Sequence, residues 1–186
     1  MKKSEIRKKI LKIRKKVSTK NLNIDFKSLL KILKINKISE KNIGGYYPYN
    51  YEIDVLKILK KLERSGYKIL LPKIKSNHQM DFFNWSTNSP LTINKYGIPE
   101  PCSDEVKYPG ILLVPLVAFD KNLNRIGYGG GFYDRYIKKI KKIKNITTIG
   151  MAYSCQKVKK ILVNQYDIKL DFIVTEKEII RWEYYF

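Results

Sequence analysis

The sequence predicts an α/β fold, and three observations carry that expectation. Segments with apolar residues at helical spacing alternate with short runs rich in Ile, Leu and Val, as in helices laid on a sheet. The longest apolar run, Ile111 to Phe119, leads through a glycine-rich loop into another helical pattern. The chain has 186 residues, 44% hydrophobic and 30% charged, which is enough for a buried core without disulfides.

Residues 3–17 form the first predicted helix. Ile6, Ile10, Ile13 and Val17 fall within about 60° of one another at ~100° per residue. Lys3, Arg7 and Arg14 make a second stripe beside them, in the position to border a crevice, but without a partner motif a solvated face is the preferred reading. A second helix is expected over Asp25 to Ile35 and a third over Ile53 to Leu62, closed by Ser65-Gly66. Between them, Lys41 to Tyr49 reads as a turn and a short strand ended by Pro48. Tyr67 to Leu71 is a strand stopped by Pro72, and Met80 to Trp85 is another. His78, the only histidine, falls in a polar loop. Asn88 to Gly110 carries four prolines, and so long an irregular segment suits an excursion over a site. Ile111 to Ala118 is a buried strand whose second half is altered by Pro115. Phe132 to Lys144 is read as a helix with Ile137, Ile140 and Ile143 inward. Ile146 to Ala152 is a strand, Ser154 to Val163 a short helix and Asp171 to Thr175 a last strand.

The net charge is +21. The excess lies at the two ends, +12 in residues 1–42 and +6 in residues 138–186, against +3 between. Of the 38 basic residues 32 are Lys, accompanied by 26 Ile and 13 Asn, a combination that points to a coding bias. A surface built to read phosphates uses Arg forks more often, so a solvated basic face is the simpler reading. No apolar stretch approaches the length needed to span a bilayer, and Met1-Lys2-Lys3 is not followed by an apolar leader segment. Cys102 and Cys155 are too few for a disulfide framework or a four-ligand zinc site. A cytoplasmic location is expected.

The chemistry concentrates between Ile111 and Arg135. Arg125 precedes glycines at 127, 129, 130 and 131, and a helix follows. Glycines let backbone N–H groups converge on an anion, the helix start adds partial positive charge, and Arg125 adds a charge-assisted fork. Asp134 opens the helix, where a carboxylate can hold Mg²⁺ beside phosphates. Tyr128, Phe132 and Tyr133 offer faces for a planar ring. The loop is not a Walker A sequence, because no Gly-Lys-Ser/Thr follows, and Phe132 occupies the last glycine of a dinucleotide fingerprint. By spacing alone, a hinge between strand and helix explains the glycines as well as a phosphate cradle does.

The segment nevertheless resembles a specific family. Pro115-Leu116-Val117-Ala118-Phe119-Asp120 followed by Arg125-Ile126-Gly127-Tyr128-Gly129-Gly130-Gly131-Phe132-Tyr133-Asp134 is similar to the hallmark of the 5-formyltetrahydrofolate cyclo-ligase (5,10-methenyltetrahydrofolate synthetase) family. Lys3-Ser4-Glu5-Ile6-Arg7 resembles its N-terminal basic helix, Tyr51-Glu52-Ile53-Asp54 its acidic turn, and Asp167 to Glu176 its C-terminal ending. Ile98-Pro99-Glu100-Pro101 is also familiar. The resemblance covers nearly the whole chain and is least distinctive over residues 8–45 and 76–96. Leu116 departs from the usual Gly, and Tyr166 from the usual His.

The resemblance implies a three-layer α/β/α fold with a largely parallel sheet, residues 1–186 as one domain, and the basic helix of residues 3–17 beside the nucleotide site. It implies ATP- and Mg²⁺-dependent conversion of 5-formyltetrahydrofolate to 5,10-methenyltetrahydrofolate, ADP and phosphate. Arg125, Lys3 and Arg7 are the implied catalytic cations. The ATP site is expected from Lys3, Ser4, Glu5, Ile6 and Arg7 together with Arg125, Ile126, Gly127, Tyr128, Gly129, Gly130, Gly131, Phe132 and Tyr133. The folate site is expected from Tyr47, Glu52, Tyr128, Gly129, Gly130, Gly131 and Phe132, and the Mg²⁺ site from Asp134 and Asp167. A reduced folate would be the small-molecule partner, with no obligatory nucleic acid, no membrane and a monomeric state. Two alternatives stay open at this point. One is a basic nucleic-acid-binding protein; the other is a family member that binds folate or nucleotide without turnover.

Overall fold

The computed structural model describes residues 1–18, 20, 22–35 and 38–182. Helices α1 (Lys3–Ser18) and α2 (Phe26–Ile35) lead into strand β1 (Asn42–Gly44), helix α3 (Leu56–Arg64) and strands β2 (Lys68–Ile74) and β3 (Met80–Trp85). Short strands β4 (Leu91–Ile93), β5 (Pro99–Pro101) and β6 (Val106–Lys107) precede β7 (Ile111–Pro115), β8 (Ala118–Phe119) and β9 (Arg125–Ile126). Helix α4 (Phe132–Ile140), β10 (Thr147–Met151), β11 (Phe172–Val174) and β12 (Ile179–Arg181) complete the order.

The main sheet runs β12-β11-β10-β7-β1-β2-β3-β6. The strands from β11 to β2 are parallel to their neighbours, and β12, β3 and β6 join antiparallel at the edges. Period-2 alternation sorts the side chains of the central strands to two faces. Ile43, Ile69, Ile111, Leu113 and Ile149 pack with Leu29, Ile32 and Leu33 of α2 and Leu59 and Leu62 of α3. Leu70, Leu112, Val114 and Ile173 pack on the other face with Tyr136, Ile137 and Ile140 of α4. The result is a three-layer α/β/α fold with a largely parallel sheet, and each such fully buried aliphatic side chain contributes about 1.5–3 kcal/mol.

The topology fixes where a ligand can bind. From β1 the chain crosses through α3 to β2 on one side; from β7 it crosses through α4 to β10 on the other. The strand order therefore runs outward in opposite directions from the adjacent parallel strands β1 and β7, and their C-terminal ends open a crevice. Helix α1 closes one side of it, with Ile6 and Ile10 packed on Val117, Ala118 and Ile126 around the β8–β9 hairpin.

Several elements differ from the sequence expectation for identifiable reasons. Helix α3 starts at Leu56, not Ile53, because the Ile53 carbonyl accepts the Tyr46 hydroxyl at 3.1 Å while Asp54 Oδ1 accepts the Leu56 N–H at 2.8 Å. Strand β2 continues through Pro72. The Leu70 carbonyl accepts Gly45 N–H on the β1 side, so alternation points the Pro72 nitrogen to the same side, where β1 has already ended and no donor is needed. Helix α4 ends at Ile140, and Ile143 is 53% exposed instead of inward. Residues 154–163 form only a 3₁₀ turn, Ser154–Gln156. Their amides are used elsewhere: Val158 N–H goes to the Phe119 carbonyl and Ile161 N–H to Asp120 Oδ2 at 2.9 Å. Strand β12, Ile179–Arg181, lies where the sequence predicts no element.

Candidate active site

A cavity of about 970 Å³ occupies the crevice at the ends of β1 and β7. One wall is the glycine-rich loop. Gly129 at φ 106° and Gly131 at φ 65° adopt the left-handed backbone that side chains resist, and Gly131 leads directly into α4. Arg7 Nε donates to the Gly127 carbonyl at 2.8 Å. A Cβ placed on Gly129 would lie 3.6 Å from Arg7 Nη2, so the guanidinium rests against the loop.

Arg125 lies beneath, with its side chain 4% exposed. It donates through Nη1 to the Ile168 carbonyl and through Nη2 to Asp134 Oδ1, the latter at 2.8 Å. Burial pulls its pKa below the usual arginine value, and the Asp134 carboxylate opposes that effect. Asp134 Oδ1 also accepts Ile168 N–H at 3.1 Å, so the start of α4 and the C-terminal loop are joined at one point. Asp167, in that loop, pairs through Oδ2 with Lys3 Nζ and accepts Asn164 N–H at 2.7 Å. Lys3, Arg7 and Arg125 thus meet Asp134 and Asp167 on one side of the cavity. Among the described residues no three His, Cys, Asp or Glu side chains cluster together.

The rest of the lining is aromatic and acidic. Tyr46, Tyr47, Tyr49 and Glu52 follow β1, and Tyr128, Phe132 and Tyr133 come from the glycine loop and α4. Glu52 Oε2 accepts Tyr49 N–H at 2.9 Å. Burial raises the Glu52 pKa to about 7, against the pull of the Tyr49 hydrogen bond and the Arg14 charge. Burial first, and then the charge of Glu52, pushes the Tyr133 hydroxyl well above its ordinary value, and the same pair of causes takes Tyr128 up to about 12.

Most residues singled out in the sequence therefore line one cavity. Ser4 and Glu5 do not; both are exposed on the outer face of α1, while Ile6 is buried in the core beneath it. Leu116, which replaces a glycine of the hallmark, turns its side chain into the core near Gly150 and presents its carbonyl to Arg14. Tyr166 lies at the mouth, 68% exposed. Asp120 of the hallmark is fully buried and accepts the Asn122, Asn124 and Ile161 amides; it builds the β8–β9 hairpin and does not reach the cavity.

Sequence reasoning missed several lining residues. The segment of 88–110 brings Asn94, Tyr96 and Glu100 over the cavity, and its irregular, proline-rich character was the available signal. Glu100 Oε1 accepts Ile74 N–H at 2.8 Å and the Asn94 amide at 2.7 Å, which ties the excursion to β2. His78 also lines the cavity, and its carbonyl takes Arg135 Nη2 at 2.9 Å. Nothing local in the sequence announces that contact.

An α/β crevice lined by a glycine-rich loop, three cations and an aromatic-acidic wall has the chemistry to hold an anionic group beside a planar one. The sequence pattern of the 5-formyltetrahydrofolate cyclo-ligase family matches residues 1–176. The 5-formyltetrahydrofolate cyclo-ligase of Escherichia coli K12 is 33% identical over 147 residues, covering 75% of this chain and 80% of that one. The solution structure of Aquifex aeolicus 5,10-methenyltetrahydrofolate synthetase superposes with a TM-score of 0.75 at 31% identity, over 97% of this chain and 93% of that one. The structure of the Mycoplasma pneumoniae 5,10-methenyltetrahydrofolate synthetase gives a TM-score of 0.71 at 27% identity, over 95% of this chain and 100% of that one. The chain belongs to the 5-formyltetrahydrofolate cyclo-ligase family. Family and relatives together support 5-formyltetrahydrofolate cyclo-ligase activity. Among the described residues no helix is long and apolar enough to cross a membrane.

Proposed function

We propose that residues 1–186 act as one catalytic domain that converts 5-formyltetrahydrofolate and ATP to 5,10-methenyltetrahydrofolate, ADP and phosphate, with Mg²⁺ as the metal. The observation that carries this reading is the continuity of one cavity from the cationic glycine loop to the Glu52 and tyrosine wall. A triphosphate and a reduced folate can meet there.

The formyl group is an amide, and its oxygen is a poor leaving group. In the proposed sequence that oxygen attacks the γ-phosphorus and ADP departs. N10 then attacks the formyl carbon and loses its proton, and the C–O bond breaks with release of phosphate. Phosphoryl transfer asks the protein for positioning and charge neutralisation. Lys3, Arg7 and Arg125 neutralise the phosphates, and the N–H groups of residues 127–131 receive the oxygens whose charge develops. Tyr47, Tyr128 and Phe132 wall the folate, and Glu52 hydrogen-bonds it. With a pKa near neutrality, Glu52 either donates or accepts at working pH.

Asp134 and Asp167 suit Mg²⁺ chemically. Both line the cavity, and Asp134 Oδ2 and Asp167 Oδ1 take no hydrogen bond among the described residues. Two carboxylate oxygens completed by phosphates and water match the preference of this hard cation, which when bound offsets charge on the transferring phosphoryl group. The test is formation of the methenyl chromophore from 5-formyltetrahydrofolate. Product that requires both ATP and Mg²⁺ supports the reading, and product formed equally without ATP refutes it.

A further inference from the structure

Arg14 lies two turns beyond Arg7 on α1, fully buried, and makes no ion pair with a carboxylate among the described residues. Its partners are instead three neutral oxygens on three separate segments. Nη1 donates to the Leu116 carbonyl at 3.1 Å. Nη2 donates to the Asn50 carbonyl at 2.6 Å and to the Tyr128 hydroxyl. Nε is buried with no hydrogen-bond partner among the described residues. Holding a charge inside a protein without a directly paired carboxylate is costly, so the arrangement calls for a reason beyond packing.

The three acceptors are the roots of three cavity walls. Leu116 follows Pro115 at the end of β7, Asn50 lies in the turn that delivers Glu52, and Tyr128 is in the glycine loop. The turn is strained: Asn50 at φ 48° and Tyr51 at φ 64° are successive left-handed residues with side chains, an unfavourable choice for tyrosine above all. Such backbone persists where its surroundings over-determine it. Here Glu52 N–H bonds the Tyr49 carbonyl at 3.1 Å, Tyr49 N–H bonds Glu52 Oε2, and Arg14 grips the carbonyl between them. Tyr128 extends the bridge, with its hydroxyl 3.4 Å from the Tyr49 carbonyl and its ring edge-on to Tyr49 at 5.8 Å.

We infer that Arg14 is a positioning residue for the folate end of the cavity: it locks the Tyr49–Glu52 turn and Tyr128 together, and leaves the phosphate end to Lys3, Arg7 and Arg125. The inference rests on the cyclo-ligase reading above, in which Glu52 and Tyr128 meet the folate.

The test compares wild type, Arg14→Lys, Arg14→Met, Tyr128→Phe and the Arg14→Lys/Tyr128→Phe double variant. Dissociation constants for 5-formyltetrahydrofolate and for ATP are measured separately by calorimetry. Loss of buried hydrogen bonds should weaken folate binding by roughly 10- to 100-fold in Arg14→Met, with ATP affinity changed by less than about threefold. Arg14→Lys should fall between, since an ammonium keeps the Asn50 contact but cannot span all three acceptors. Tyr128→Phe should weaken folate binding alone and add little on top of Arg14→Lys. Equal losses for both ligands, no loss for folate, or additive effects in the double variant would overturn the inference. Should Arg14→Met fail to fold, the Lys, Phe and double variants decide by the same criteria. A folded wild type that binds no reduced folate overturns the cyclo-ligase reading and this inference with it; a wild type that turns over, with no split between ligands in the variants, overturns this inference alone.

Discussion

Replacing Glu52 by Gln should make the protein more stable and less able to bind substrate. Burial lifts the Glu52 pKa from 4.5 to about 7, and the Tyr49 hydrogen bond and the Arg14 charge only partly oppose it. Between those values the native state holds more protons than the unfolded chain, so stability falls as pH rises through the window. At about 1.4 kcal/mol per pKa unit the whole displacement corresponds to roughly 3–4 kcal/mol. The side chain keeps some solvent contact at the cavity, and screening reduces the expected cost to about 1–2 kcal/mol. Gln keeps an oxygen for the Tyr49 N–H but carries no charge. The Glu52→Gln protein should match wild type near pH 4.5 and exceed it by about 1–2 kcal/mol at pH 8, read from urea midpoints with unchanged m. The same variant should bind 5-formyltetrahydrofolate more weakly and lose the ionisation near pH 7 from the pH profile of folate KM. A variant less stable than wild type at pH 8, or one with the same offset at both pH values, would refute the reasoning.

Other substitutions probe the rest of the site. Arg125→Met leaves the Asp134 carboxylate without its buried cation and should cost about 3–5 kcal/mol. It should also abolish turnover, and adding Asp134→Asn should recover part of the stability but none of the activity. Gly129→Ala forces a side chain into φ 106° and should cost about 1–3 kcal/mol while raising KM for ATP. Gly127→Ala is the internal control: no atom lies within 4 Å of its added carbon, and unfolding midpoints for the two should differ accordingly. Leu116→Ala should lower stability by about 2–5 kcal/mol through a core cavity, yet leave turnover at saturating substrate intact, because it is the Leu116 carbonyl that faces Arg14.

Much of the fold was legible because its patterns are local. The Ile6–Ile10 stripe, the apolar strand from Ile111 and the Ile137–Ile140 face each declare their period within a few residues and are buried, whereas Ile13 and Val17 of the first stripe are only half-buried and Ile143 of the last is exposed. The failures come from competition at a distance. Ser154 to Val163 has a helical composition, but its amides are claimed by Phe119 and Asp120. Pro72 looked like a strand stop because the sequence does not reveal that β1 ends beside it. In the site, the glycine loop with Arg125 and Asp134 stood out as a block. The companions of that block did not. Arg14 was visible as one member of a basic stripe, but its burial depends on Asn50, Leu116 and Tyr128 converging from three segments. Glu100 and His78 reach the cavity only through the hairpins that carry them.

The central claim is that the formyl oxygen is activated by phosphoryl transfer in this cavity, and isotope tracing tests it most directly. 5-Formyltetrahydrofolate labelled with ¹⁸O in the formyl group is converted with ATP and Mg²⁺, and the inorganic phosphate is analysed by mass. One labelled oxygen in each phosphate, formed in step with one ADP and one methenyl product, is the expected result. Label released into water, or methenyl product formed without matching ADP, would contradict the account.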